Sequence, residues 1–218
     1  ATGYAVVLLM FLASHYYAVF LLPVHTALLY AWLSRRSHVA AAVAVAGVLL
    51  SGAALTAAAF WAIIVVQQGG GNFPSITVSM LGPDLLNAFS MGLSVDLADV
   101  WLLDLLFAII AAAGAVWSLR SRRSVLAGGW LPVAMILTPI LGILLLNTFH
   151  PAYMNARHLS LIGGPFIVLV GAGLGAAWRV RPWFSLLLGA VLVLGSAYST
   201  LNYFTQEEYA KDNFSRLG

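Results

Sequence analysis

NTFHPAYMNARHLSLIGGPFIVLVGAGLGAAWRVR, residues 147–181, sets the frame for the rest of the chain. A short polar segment rich in His, Tyr and Arg runs straight into an apolar stretch of about twenty residues, the length of helix that crosses about 30 Å of hydrocarbon. The apolar run stops on Arg179 and Arg181. A span needs only water-tolerant ends, so a cluster of directional donors at its boundary points to a ligand. We expect Arg157 and its neighbours to form an anion site at the outer face of a membrane.

The same pattern repeats outward from this stretch. Downstream, a last span covers Trp183 to Tyr203 and leaves TQEEYAKDNFSRLG, residues 205–218, beyond it. Upstream, residues 125–146 form a span carrying Pro132 and Pro139, which a bundle absorbs because neighbouring groups satisfy the freed carbonyls. Residues 100–118 form another and end at Arg120, Arg122 and Arg123. From His38 to Val66 runs a small-residue span whose Ala and Gly faces admit close neighbours, and we expect it in a bundle interior. Residues 3–33 exceed one bilayer crossing, so they form either one tilted helix kinked at Pro23 or two shorter helices that break near Ser14 and His15. In the connection 67–98, Pro83 and Asp84 suit a helix start, and Leu85, Leu86, Phe89 and Leu93 would share a face of a helix lying on the membrane.

Composition agrees with this reading. Of 218 residues, 62% are hydrophobic and 8% charged, far from the roughly 25% charged of soluble domains. The expected fold is all-α: a polytopic transmembrane bundle of six to seven spans with an external interfacial helix, occupying residues 1–204, with 205–218 beginning an external C-terminal segment. The net charge of +3 reflects loop placement and implies no nucleic-acid partner. With no cysteine, disulfides and thiolate metal sites are excluded. Arg35, Arg36, Arg120, Arg122, Arg123, Arg179 and Arg181 fall on loops of one side, and the acidic residues fall on or near the other. The positive-inside rule makes the arginine side cytoplasmic and places the 147–158 segment and the C-terminus outside. The N-terminal residues do not read as a signal peptide, and both ends read as cuts within a longer polypeptide.

Arg157 is the one Lys or Arg between Arg123 and Arg179. Its planar, permanently charged fork suits a phosphate or diphosphate at headgroup depth. The competing role is a snorkelling anchor or a structural salt bridge. His150, Tyr153, Asn155 and His158 lie close to it in sequence, and His15, Tyr16 and Tyr17 reach the same face if the first stretch breaks there. Asp104 stands apart because it lies more than a turn inside a span, where a lone Asp costs about 2.5 to 3.5 kcal/mol. It needs a partner or a wet cavity, and Arg157 and His158 are the partners that sequence offers. Asp96 and Asp99 read as a solvated helix start. VDLADVWLLD, residues 95–104, offers no firm metal-ligand spacing, so no cofactor is evident and divalent-metal dependence stays open. Gly69, Gly70 and Gly71 lack the Lys-Ser or Lys-Thr of a nucleotide loop.

HPAYMNARHLSLIGGPFIVLVGAGLGAAW, residues 150–178, resembles a segment of the polyprenyl-phosphate-dependent glycosyltransferases of the GT-C fold, the group of protein O-mannosyltransferases and aminoarabinose transferases. LASHYYAVFLLPVHTALLYAWL, residues 12–33, looks like the His-Tyr-Tyr helix of such chains, and TQEEYAKDNFSR, residues 205–216, is similar to the start of their external C-terminal region. Phe214 stands where such chains often carry Trp, with Arg216 one place late. The family's catalytic carboxylate, in its first external loop, has no counterpart here. The resemblance implies the C-terminal part of the membrane domain in a prokaryotic plasma membrane, with a polyprenyl-phosphate-linked sugar and membrane lipids as partners. Arg157 would then bind the lipid phosphate, with His158 and His15 lining the cavity and the catalytic residue unidentified. A non-catalytic accessory subunit bound to other membrane subunits is the alternative, and a transporter relaying protons through Asp104 is a third reading.

Overall fold

A computed structural model of the chain describes residues 2–14, 16–66, 77–120, 129–149 and 156–206. Among them every regular element is helical: α1 Thr2–Ser14, α2 Leu22–Leu33, α3 His38–Val66, α4 Val78–Ser90, α5 Leu97–Arg120, α6 Leu131–Phe149, α7 Gly163–Val180 and α8 Pro182–Thr205. Two 3₁₀ segments, Tyr16–Leu21 and Ala156–Ile162, precede α2 and α7. Among the described residues, four stretches are long and apolar enough to cross a membrane: Leu97–Arg120, Leu131–Thr148, Leu159–Val180 and Pro182–Thr205. The chain is therefore an all-α membrane protein, and four of the six to seven expected spans meet the length and hydropathy of a crossing. Residues 207–218 lie outside the described residues, and with them most of the expected external segment.

The helices fall into two compact units, residues 1–77 with 121–165 and residues 78–120 with 166–218. In the first unit the stretch 3–33 takes the broken form: α1 ends at Ser14, and a 3₁₀ turn leads into α2. Pro23 sits in the first turn of α2, where its missing N–H costs no helical bond. The turn after α2 hands over to α3 through Ser37, whose Oγ accepts the Ala40 N–H at 3.3 Å as an N-cap. Leu8, Leu12, Ala18 and Leu22 form the core, with Phe11, Val19 and Val48 packed against it. Across 38–54, α3 buries Ala41 and Gly52 while Val39, Val43 and Leu50 stay exposed. Over residues 38–54 the expectation of an interior α3 is therefore corrected: Ala and Gly permit close packing without specifying it, and a lipid-facing surface can be equally apolar. α6 accommodates Pro139 within its run, and the Thr138 hydroxyl donates to the Ala134 carbonyl at 2.9 Å in the same turn.

In the second unit, α5 buries Val100, Asp104, Phe107, Ala111 and Gly114, a stripe at helical spacing. α7 runs alongside in the same direction. Phe107 stacks on Phe166 at 6.4 Å between centroids, and at the far end the Arg179 guanidinium lies 5.1 Å over the Trp117 ring. Between these contacts, Gly114 and Gly173 bring the two backbones together. A Cβ on Gly114 would strike the Leu169 carbonyl, and one on Gly173 would strike that of Ile110. α8 returns antiparallel after Arg181, which is extended (φ −149°, ψ 100°) as the residue before a proline prefers. The Ser185 hydroxyl donates to the Leu174 carbonyl at 2.8 Å and fixes that turn. Arg120 and Arg179 thus share one end of this unit, and Asp96 and Asp99 lie at the other.

α4 differs from its expected form. It begins at Val78, so Pro83 lies inside the helix and not at its first position. Its buried positions are Leu81, Leu85, Asn87 and Ser90, while Leu93 falls beyond the helix and is exposed. The face proposed from leucine spacing alone is corrected accordingly. Two small polar side chains occupy what that spacing treats as the wet side.

Candidate functional site

The first candidate lies in the first unit. The 3₁₀ segment Ala156–Ile162 carries Arg157 and His158 in its first turn, and Leu159 and Ile162 anchor it by full burial. Leu159 (φ −103°, ψ 20°) kinks the segment ahead of the Gly-Gly-Pro start of α7. Such short, tight segments hold their register through packing, since 3₁₀ hydrogen bonds are poorly aligned. The partner is the other 3₁₀ segment, Tyr16–Leu21, in which Tyr17, Ala18 and Leu21 are buried and Tyr17 lies 5.9 Å from the Phe20 ring. The two segments pack against each other and against α6. The backbones of Tyr16 and of Arg157 and His158 therefore belong to adjoining segments of one unit. His15, His150, Tyr153 and Asn155 lie outside the described residues.

Asp104 belongs to the second unit and is 1% exposed, about 10 Å along α5 from its start. Sequence offered Arg157 or His158 as its partner, and those side chains lie outside the described ones; among the described residues its partner is Ser90, at the C-terminal end of α4. The Ser90 Oγ is in hydrogen-bond contact with Asp104 Oδ1 and also lies 2.7 Å from the Leu86 carbonyl. The hydroxyl has one proton for these two acceptors. Asp104 Oδ2 is buried with no partner among the described residues, as is Asn87 Oδ1. Ser90 and Asn87 escaped the sequence reading, although their i, i+3 spacing places them on one helix face. Asp96 and Asp99 are exposed at the start of α5, and Asp96 Oδ1 accepts the Ala98 N–H at 2.9 Å, the helix-start role expected of them.

A further polar pair was not anticipated. The Tyr4 hydroxyl and His25 Nδ1 are 2.6 Å apart, linking α1 to α2 across the 3₁₀ turn. Tyr4→Phe removes this hydrogen bond and is expected to lower stability by about 0.5 to 1.5 kcal/mol. Thermal unfolding in detergent checks it, and an unchanged midpoint would mean the pair carries no weight. Among the described residues no three of His, Asp and Glu converge as a group that could hold a metal ion. No family model, no curated protein and no solved structure matches the chain.

Proposed function

We propose that the chain is the C-terminal part of the membrane domain of a glycosyltransferase that moves a sugar from a polyprenyl-phosphate donor to an acceptor at the external face. One observation carries this reading: the segment with Arg157 and His158 packs against the segment that begins at Tyr16. Residues more than a hundred positions apart, which sequence grouped by residue type, thereby lie on adjoining segments. Arg157 holds the lipid phosphate, and His158, His150, Tyr153, His15 and Tyr16 line its surroundings.

In the reaction, an acceptor hydroxyl attacks the anomeric carbon and gives up its proton to a carboxylate base. The bond from that carbon to the phosphate oxygen breaks, and the phosphate leaves with the electron pair. A guanidinium placed at the departing oxygens stabilises the charge as it develops. Arg157 fills this second role; the base comes from the family's external carboxylate, which has no counterpart among these residues. The test is turnover by the full-length polypeptide reconstituted with a polyprenyl-phosphate-linked sugar. Released polyprenyl phosphate is expected. Its absence, together with stable stoichiometric co-purification with other membrane proteins, would favour an accessory subunit.

The finer topology follows the same reading. The long α3, 29 residues, and the α1–α2 region add spans to the four long apolar helices, with the arginine ends cytoplasmic, α4 at the external surface and the C-terminus outside. The shared end of Arg120 and Arg179 in the second unit supports this arrangement. The absence of native cysteine makes the topology testable with single probes. Thr205→Cys is expected to react with an impermeant maleimide added outside cells, and Ser37→Cys only after permeabilisation. The reverse pattern would invert the topology and remove Arg157 from the external face.

A further inference from the structure

The corner between α4 and α5 collects buried polar groups inside an otherwise apolar unit: Asn87, Ser90, Ser94, Asp104 and Ser199 are all buried. Gly92, in the left-handed region at φ 88°, donates its N–H to the Asn87 carbonyl at 2.8 Å and closes α4 there. The unmet hydrogen-bonding capacity of this corner has a single sign. Asp104 Oδ2 and Asn87 Oδ1 are both acceptors, both buried, and both without a donor among the described residues.

The Asn87 amide has a determined orientation. Its Nδ2 donates to the Val95 carbonyl at 3.4 Å, and reversing the amide would set two carbonyl oxygens against each other. Asn87 lies three residues before Ser90, so the two share a face of α4, and Ser90 contacts Asp104. If the Ser90 proton goes to the Leu86 carbonyl, Ser90 Oγ and Asp104 Oδ1 face each other with no proton between them. The C-terminal end of α4 adds partial negative charge at the same place. An uncompensated buried carboxylate costs several kcal/mol. A cation would answer both the missing donors and the negative charge of this corner, and an anion is repelled.

We propose that the α4–α5 corner binds a sodium-like monovalent cation through Asp104 Oδ2 and Asn87 Oδ1, with Ser90 Oγ as a third hard oxygen. One carboxylate balances one charge, whereas divalent ions are usually held by more carboxylates or by retained waters. A helix C-terminal end beside an irregular turn is also where membrane transporters place coupling sodium ions. The proposal does not depend on the donor-lipid reading.

The test is thermal unfolding of the purified chain in detergent, titrated with sodium chloride against choline chloride at constant ionic strength. Sodium is expected to raise the midpoint saturably, by about 5 to 10 °C at a hundredfold excess over Kd. Asp104→Asn is expected to abolish the increment. Should that variant fail to fold, Asn87→Ala keeps the charge and is expected to raise the sodium concentration at half-effect about tenfold. Identical midpoints in sodium and choline would overturn the proposal, as would an undiminished increment in Asp104→Asn or an unmoved half-effect in Asn87→Ala. A midpoint that responds to pH but not to sodium would also overturn it, leaving a protonated carboxyl and no cation.

Discussion

Arg157→Ala is expected to lower sugar transfer by about 10²- to 10³-fold while the protein still inserts and folds. Removing one preorganised donor from a developing oxyanion has this scale of effect in a water-poor site. A guanidinium on phosphate is stronger than a single neutral donor because it is charged and pairs two N–H groups with two oxygens. Arg157→Lys keeps the charge and loses the fork, so it should recover part of the rate and no more. The comparison separates phosphate recognition from lipid anchoring. A snorkelling anchor would accept Lys fully and would move insertion, not turnover. The assay is release of polyprenyl phosphate by the full-length polypeptide, and wild-type turnover in Arg157→Ala would remove the enzymatic reading.

The second large effect concerns stability. Gly114→Leu is expected to lower the unfolding midpoint by about 5 to 10 °C, from an overpacking cost of about 3 kcal/mol. The added Cβ would meet the Leu169 carbonyl and the Gly173 amide, backbone atoms that no side-chain rotation can clear. α5 and α7 must then separate, which loosens the Phe107–Phe166 stack and the Arg179–Trp117 contact with it. Gly173→Leu should behave alike, because its Cβ would strike the Ile110 carbonyl. Gly171 and Gly175 lie on the same helix with open space at the Cβ position. Changing either to Ala should leave the midpoint unchanged or raise it slightly, since Ala favours the helix. Equal losses at positions 171 and 173 would show that the glycines act through helix propensity and not through a close crossing.

Gly114 and Gly173 also mark the limit of what sequence made legible. Hydropathy located α5, α7 and α8 within a few residues and α6 with a start six residues early, because length and apolarity in a bilayer leave few other structures available. The end of the first helix at Ser14 was one of two open forms; the buried cluster around Ala18 and Leu22 stabilises it, and that is a tertiary fact. The chain carries 20 glycines, and nothing in their local pattern singles out Gly114 and Gly173. Only the crossing does. The reading of α3 failed for the same reason, since small apolar residues look alike toward lipid and toward protein.

Asp104 was recognisable as an outlier on cost alone. Its contact with Ser90 was not, because Ser90 and Asn87 interrupt a leucine pattern that pointed to a different face of α4. The Arg157 cluster was legible as a collection of residue types. The packing of its 3₁₀ segment against Tyr16–Leu21 needed coordinates, since no local pattern links positions so far apart in the chain.

The claim that a phosphorylated isoprenoid is gripped at Arg157 is tested most directly by photo-crosslinking. A photoreactive polyprenyl phosphate is irradiated with the full-length protein, and the labelled peptides are read by mass spectrometry. Labelling is expected on residues 147–162 and on 12–21, to be competed by unlabelled polyprenyl phosphate and to fall at least tenfold in Arg157→Ala. Labelling that avoids both segments, or that persists undiminished in Arg157→Ala, would contradict the account.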